Sequence, residues 1–164
     1  MNLELKKVFL NEDERIDVQY GLDMSSVDFN GTKPFQTPIK VDVNIENHEG
    51  VVYLKSNVLF DFYVCCDRCA VDLLNNYNYS FIHILVMDCE GNDNDDFIEI
   101  QDYQLDLDEL IKQDILMELP SKFLCCDDCK GLCPICGKNL NQGSCDCASH
   151  QVDPRLEVLE NLLD

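Results

Sequence analysis

A chain of 164 residues with 46% hydrophobic residues, six Tyr and eight Phe can bury a real core, so a disordered protein is excluded despite a net charge of −20. That charge, with a pI near 4.2, argues against autonomous binding of free RNA or DNA, which depends on cations that displace counterions from phosphate; it favours encounter with a basic protein. No run of about 18 apolar residues and no leader-like N-terminus occurs, so a cytoplasmic protein without membrane contact is expected.

In chain order, residues 1–36 give one candidate strand, LELKKVFL, followed by a polar, turn-rich stretch. From Ile39 the period sharpens: Ile39, Val41, Val43 and Ile45 alternate with Lys40, Asp42, Asn44 and Glu46, as in a half-buried strand, and NHEG turns the chain. Val58, Phe60, Phe62 and Val64 then share one face, and after CCDRCA the alternation resumes at Tyr77, Tyr79, Phe81, His83 and Leu85. Two long strands therefore flank Cys66-x2-Cys69, which places this pair at the tip of a hairpin-like connection.

Residues 88–109 hold ten acidic residues and no Lys or Arg, a solvated loop running into a helix. Asp88, Glu90, Asn92 and Glu99 resemble EF-hand ligand positions only weakly, because Asp93 stands where the sharp turn needs Gly. Asp106 and Glu109 form a capping box, and Leu107, Leu110, Ile111, Ile115 and Leu119 mark a helix closed by Pro120. A last helix starts at Asp153-Pro154 and buries Leu156, Leu159 and Leu163. The expected architecture is α+β: a β-rich domain over 1–104 with an antiparallel sheet able to curl toward a barrel, a helix over 105–120, a Cys-rich zinc-binding module over 121–150 and a C-terminal helix over 151–164.

Eleven cysteines, an odd number, in a reducing compartment point to metal ligation over a disulfide framework. Cys133-x2-Cys136 with Cys145-x-Cys147 supplies four thiolates from two short turns, with Gly137 free to take the positive φ of a knuckle and Gly143 and Asn141 serving the return. Closed coordination by four thiolates is structural zinc, with no position left for a reacting water. A second zinc site is expected from Cys66, Cys69, Cys125 and Cys129, with Cys126 the rival to Cys125. The competing readings of Cys66 and Cys69 are small buried hydrophobes or a redox pair, although no βαβ unit surrounds them. Arg68, between the two, could stabilise thiolate charge, while Cys65 and Cys89 read as non-ligands. His48 and His83 read as turn and strand-face residues, and His150 as a lesser competitor of Cys147. No nucleophile elbow, phosphate loop or dinucleotide fingerprint appears, so nothing argues for an enzyme.

CDRCA after a long strand, LDLDELIKQDILMELP, LCCDDCKGLCPICGKNLNQGSCDC and a terminal DPRLEVLENLL together resemble the bacterial large ribosomal RNA subunit accumulation protein family, the YceD-like proteins, over about residues 38–164. The resemblance implies a role in the synthesis, processing or stability of 23S ribosomal RNA and in large-subunit assembly, with no catalytic residues. It places the family's Cys-x-Arg-Cys on Cys66, Arg68 and Cys69 and its Cys-x3-Cys on Cys125 and Cys129, which supports Cys125 over Cys126. The expected partner is a ribosomal protein or a pre-ribosomal particle, with Lys122, Lys130 and Lys138 as a small basic face for rRNA already partly neutralised. The alternative is a zinc-stabilised acidic interaction module, a chaperone or adaptor for a basic protein outside the ribosome pathway; a thiol redox sensor is a third idea.

Overall fold

The computed structural model describes residues 1–12, 14–87 and 97–147. The chain divides into two units, one of Met1–Val64 with Asp72–Phe123, the other of Cys65–Val71 with the chain from Leu124 onward. The C-terminal helix expected over 151–164, His150, Cys89 and most of the EF-hand-like stretch lie outside the described residues.

The first unit is built on a five-stranded sheet in the order β2-β3-β4-β5-β6, from β2 (Arg15–Leu22), β3 (Ile39–His48), β4 (Val51–Cys65), β5 (Asp72–Val86) and β6 (Phe97–Glu99). Two further short strands, β1 (Asn2–Glu4) and β7 (Gln104–Asp106), pair with each other. In β3 the predicted alternation holds: Ile39, Val41, Val43 and Ile45 are buried and their neighbours point outward. The β3–β4 register sets Val41 against Val58 and Ile45 against Leu54, so one face is continuously apolar.

That face is covered by helices α1 (Lys6–Leu10) and α2 (Leu107–Glu118), whose Leu5, Val8, Leu107, Leu110, Ile111 and Ile115 belong to the same core cluster as the strands. An aromatic group tightens it, with Phe35 and Phe62 ring centroids 5.1 Å apart and Phe62 and Phe123 5.3 Å apart. Asp106 caps α2, its carboxylate accepting from the Glu109 amide at 3.4 Å.

Three expectations are corrected. The sheet is open, with β2 and β6 at its edges, so the barrel-like form does not occur; the helices bury the apolar face without closure, and the three-residue β6 offers little to pair with. The sheet is also not wholly antiparallel, because β6 runs parallel to β5. LELKKVFL is not one strand: pairing with β7 ends at Glu4, and a helical turn then brings Leu5 and Val8, three residues apart, onto one buried side. Within the stretch expected to be polar and turn-rich lies strand β2, in which Ile16, Val18, Tyr20 and Leu22 alternate with Arg15, Asp17, Gln19 and Gly21.

Candidate metal centres

Every cysteine among the described residues belongs to the second unit. The connection from β4 to β5 turns tightly at Cys66–Val71, where the Cys66 amide donates to the Val71 carbonyl at 2.8 Å and the Ala70 amide to the Cys66 carbonyl at 2.9 Å. Both sulfurs of the Cys-x2-Cys pair thereby face the same side, as in a metal knuckle. A second knuckle forms at Cys133–Cys136, closed by Gly137, whose φ of 72° lets its amide donate to the Cys133 carbonyl at 2.9 Å.

The structure brings Cys66, Cys69, Cys125 and Cys129 into one cluster and Cys133, Cys136, Cys145 and Cys147 into another, the four sulfurs of each lying within 4.8 Å of one another. Each cluster could hold a metal ion. Cys66 and Cys129 sulfurs are 3.8 Å apart, and those of Cys69 and Cys125 3.6 Å. A tetrahedron with metal–sulfur bonds of about 2.3 Å has edges of about 3.8 Å, so the spacing fits a tetrathiolate ion and is far too long for disulfides. Cys66, Cys69, Cys129 and Cys133 are buried, while Cys125 and Cys136 are exposed.

The thiols are tuned by their surroundings. Burial opposes ionisation of Cys66, but the backbone amides of Cys69, Arg68 and Cys125 outweigh it and bring the thiol down to about 6. At Cys133 the amides of Cys136 and Ile135 lead, and the thiol again falls to about 6. The partners move the other way: hydrogen bonding to Cys136 pushes Cys147 up to about 12, and sharing with Cys129 pushes Cys125 up. Each cluster thus combines sulfurs that favour the thiolate with sulfurs that retain a proton, and a divalent cation replaces such protons on binding.

Arg68 acts differently from the expectation. Its guanidinium donates to the carbonyls of Cys129 at 3.0 Å and Asp127 at 3.3 Å, holding the 127–129 segment against the first knuckle. What reaches the Cys66 sulfur is its backbone amide. Cys126 lies outside the four-sulfur group, 3.7 Å from Cys125 and exposed. Cys65 ends β4 and is exposed.

Among the histidines, His48 stands 3.7 Å from Glu46, and His83 is paired with Asp114 of α2 at 2.8 Å. Lys130 and Lys138 are exposed in the second unit, where Lys138 donates to the Ser144 carbonyl at 2.6 Å; Lys122 belongs to the first unit.

Two residues shape the first cluster beyond what sequence reasoning gives them: Gly131 is not singled out by it, and Asn141 has only a place in the return turn toward Cys145. Gly131, at φ 74°, passes so close to the first knuckle that an added Cβ would meet the Arg68 carbonyl oxygen at 3.0 Å. Asn141 donates from Nδ2 to the Cys129 sulfur at 3.3 Å. The signal available for both was their position in the short loops between cysteines, where a glycine or amide with no capping role suggests a tight approach.

Among the described residues, no helix is long and apolar enough to cross a membrane. A sequence model of one family, described as "Large ribosomal RNA subunit accumulation protein YceD", matches residues 54–163. A Bacillus subtilis (strain 168) protein named "Uncharacterized protein YlbN" is 32% identical over 114 residues, 65% of this chain and 66% of that protein. An Arabidopsis thaliana protein named "Large ribosomal RNA subunit accumulation protein YCED homolog 1, chloroplastic" is 34% identical over 59 residues, 36% of this chain and 18% of that one. The matched region is therefore just under two thirds of the first relative and under a fifth of the second. No solved structure matches the chain.

Proposed function

Because the chain belongs to the large ribosomal RNA subunit accumulation protein family, we propose that it is a non-enzymatic, zinc-binding factor that sustains large-subunit ribosomal RNA and large-subunit assembly in the cytoplasm. The observation that carries this reading is the presence of two four-cysteine clusters, the sulfurs of each within 4.8 Å of one another, inside the segment that matches the family. Four thiolates in a tetrahedral arrangement suit zinc, and they leave no open position for a substrate. The ligands are Cys66, Cys69, Cys125 and Cys129 at one site and Cys133, Cys136, Cys145 and Cys147 at the other. Metal at the first site joins stretches of chain about 60 residues apart, stabilising a loop-rich segment that has little apolar material of its own.

A tetrathiolate around one divalent cation carries two negative charges, which adds to an acidic chain. The partner that fits is a basic ribosomal protein, free or within a pre-ribosomal particle, in preference to bare RNA. Depleting the protein should lower large-subunit ribosomal RNA and the large-subunit peak in a sedimentation profile, and affinity purification should recover large-subunit components. Unchanged ribosomal RNA and profiles overturn the reading. Recovery of one basic, non-ribosomal client without large-subunit components favours a chaperone or adaptor instead.

A further inference from the structure

The two cysteine clusters are not independent pieces of chain. The segment 129–133 leaves the first cluster at Cys129 and enters the second at Cys133, and it pairs with the return strand of the second knuckle. Leu132 and Asn139 form an antiparallel bridge, the Leu140 amide donates to the Gly131 carbonyl at 2.9 Å, and the Cys133 amide to the Lys138 carbonyl at 2.8 Å. The opposite side of the same segment rests on the first knuckle, where the Leu132 amide donates to the Arg68 carbonyl at 3.1 Å.

Asn141 stands at the end of this arrangement. Its Oδ1 accepts from the Lys130 amide at 2.8 Å, its Nδ2 donates to Asn139 Oδ1 at 2.9 Å, and its own amide donates to the same oxygen at 3.0 Å. These contacts orient the side chain so that Nδ2 also reaches the Cys129 sulfur. Asn141 belongs by sequence to the loop between Cys136 and Cys145 of the second cluster, yet its donor is spent on a sulfur of the first.

From this geometry we infer that Asn141 is a positioning residue that couples the two metal sites, so that closing the second cluster on its ion strengthens metal binding at the first. The inference rests on the metal-binding reading above. The physical cause is the excess negative charge of a tetrathiolate: an N–H donor aimed at a coordinating sulfur disperses it, and the donor is in place only when the second knuckle is folded. Removing an outer-shell donor of this kind typically weakens metal binding about 10- to 100-fold. Coupling is reciprocal, so metal at the first cluster strengthens the second by the same factor.

The test uses the full chain with zinc and a competing chelator, and cobalt(II) as a spectroscopic probe. Asn141→Asp removes the Nδ2 donor to Cys129 and Asn139. It keeps the oxygen that accepts from Lys130 and the backbone amide that donates to Asn139, so most of the loop's hydrogen bonds remain. The intact chain should hold two ions. Asn141→Asp should also hold two, with the first cluster about 10- to 100-fold weaker and its sulfur-to-cobalt absorption shifted. The pair Cys133→Ser and Cys136→Ser should empty the second cluster and weaken the first by a similar factor. Combining it with Asn141→Asp should weaken the first cluster no further. Two ions held with unchanged affinity in Asn141→Asp, or fully additive losses in the combination, overturns the coupling while leaving the metal sites standing. A wild-type chain that holds no ion overturns both.

Discussion

The Cys69 sulfur lies 3.6 Å from the Cys125 sulfur although 56 positions of sequence separate them. Cys69 is buried and Cys125 exposed, and the arrangement suits sulfurs gathered around an ion.

Membership of the cluster predicts a contrast between neighbours. Cys69→Ser should leave one ion fewer per chain, whereas Cys126→Ser, at an exposed sulfur beyond the group of four, should retain the full complement. Elemental analysis of the two purified variants decides it, and equal metal loss in both would contradict the grouping.

Gly131 predicts a backbone effect. Alanine there must hold a φ of 74° and meets the Arg68 carbonyl at 3.0 Å, so Gly131→Ala should cost about 1–2 kcal/mol from the left-handed conformation alone. The expected readout is faster metal loss to chelator than in wild type, with the secondary structure of the first unit unchanged by circular dichroism.

His83 and Asp114 predict a local contribution to the first unit. Their side chains are only 16% and 11% exposed, and the pair joins β5 to α2 at 2.8 Å. Asp114→Ala leaves the imidazole without this partner and should destabilise by about 1–3 kcal/mol in urea denaturation. A midpoint unchanged from wild type would show the pair to be dispensable.

Asp17 predicts a pH dependence. Hydrogen bonding from Arg15, then from Asn44, holds its carboxyl below the usual 3.8. A folded value below the unfolded one means a contribution fully present above pH 3.8 and lost as pH falls through the folded value. Wild type should therefore exceed Asp17→Asn in stability near neutrality, and the gap should narrow on acidification below pH 4. A gap that widens in acid contradicts the assignment.

The parts of the molecule that were legible in the sequence are those governed by local periodicity. Strand β3, the apolar stripe of α2 and its Asp106 cap follow from side-chain spacing, and the structure places them within a residue or two of the expected bounds. The Cys133/Cys136 and Cys66/Cys69 pairs were legible from knuckle spacing, but spacing left Cys125 and Cys126 as rivals. Only the family resemblance favoured Cys125, the one whose sulfur lies with those of Cys66, Cys69 and Cys129. Sheet closure was not legible: whether β2 meets β6 depends on how α1 and α2 cover the apolar face, which no single strand encodes. The helical turn at Lys6–Leu10 was hidden because Leu3 and Leu5 also satisfy a strand period. Asn141 and Gly131 act through contacts with Cys129 and Arg68 that only the folded chain creates.

The most direct test of the central claim is the metal content of the protein purified in reducing buffer without added chelator, measured together with its folding. Two zinc ions per chain, lost together with the structure of the second unit on chelation, is the predicted result. A fully folded chain that contains no bound metal and melts identically with and without chelator would contradict it.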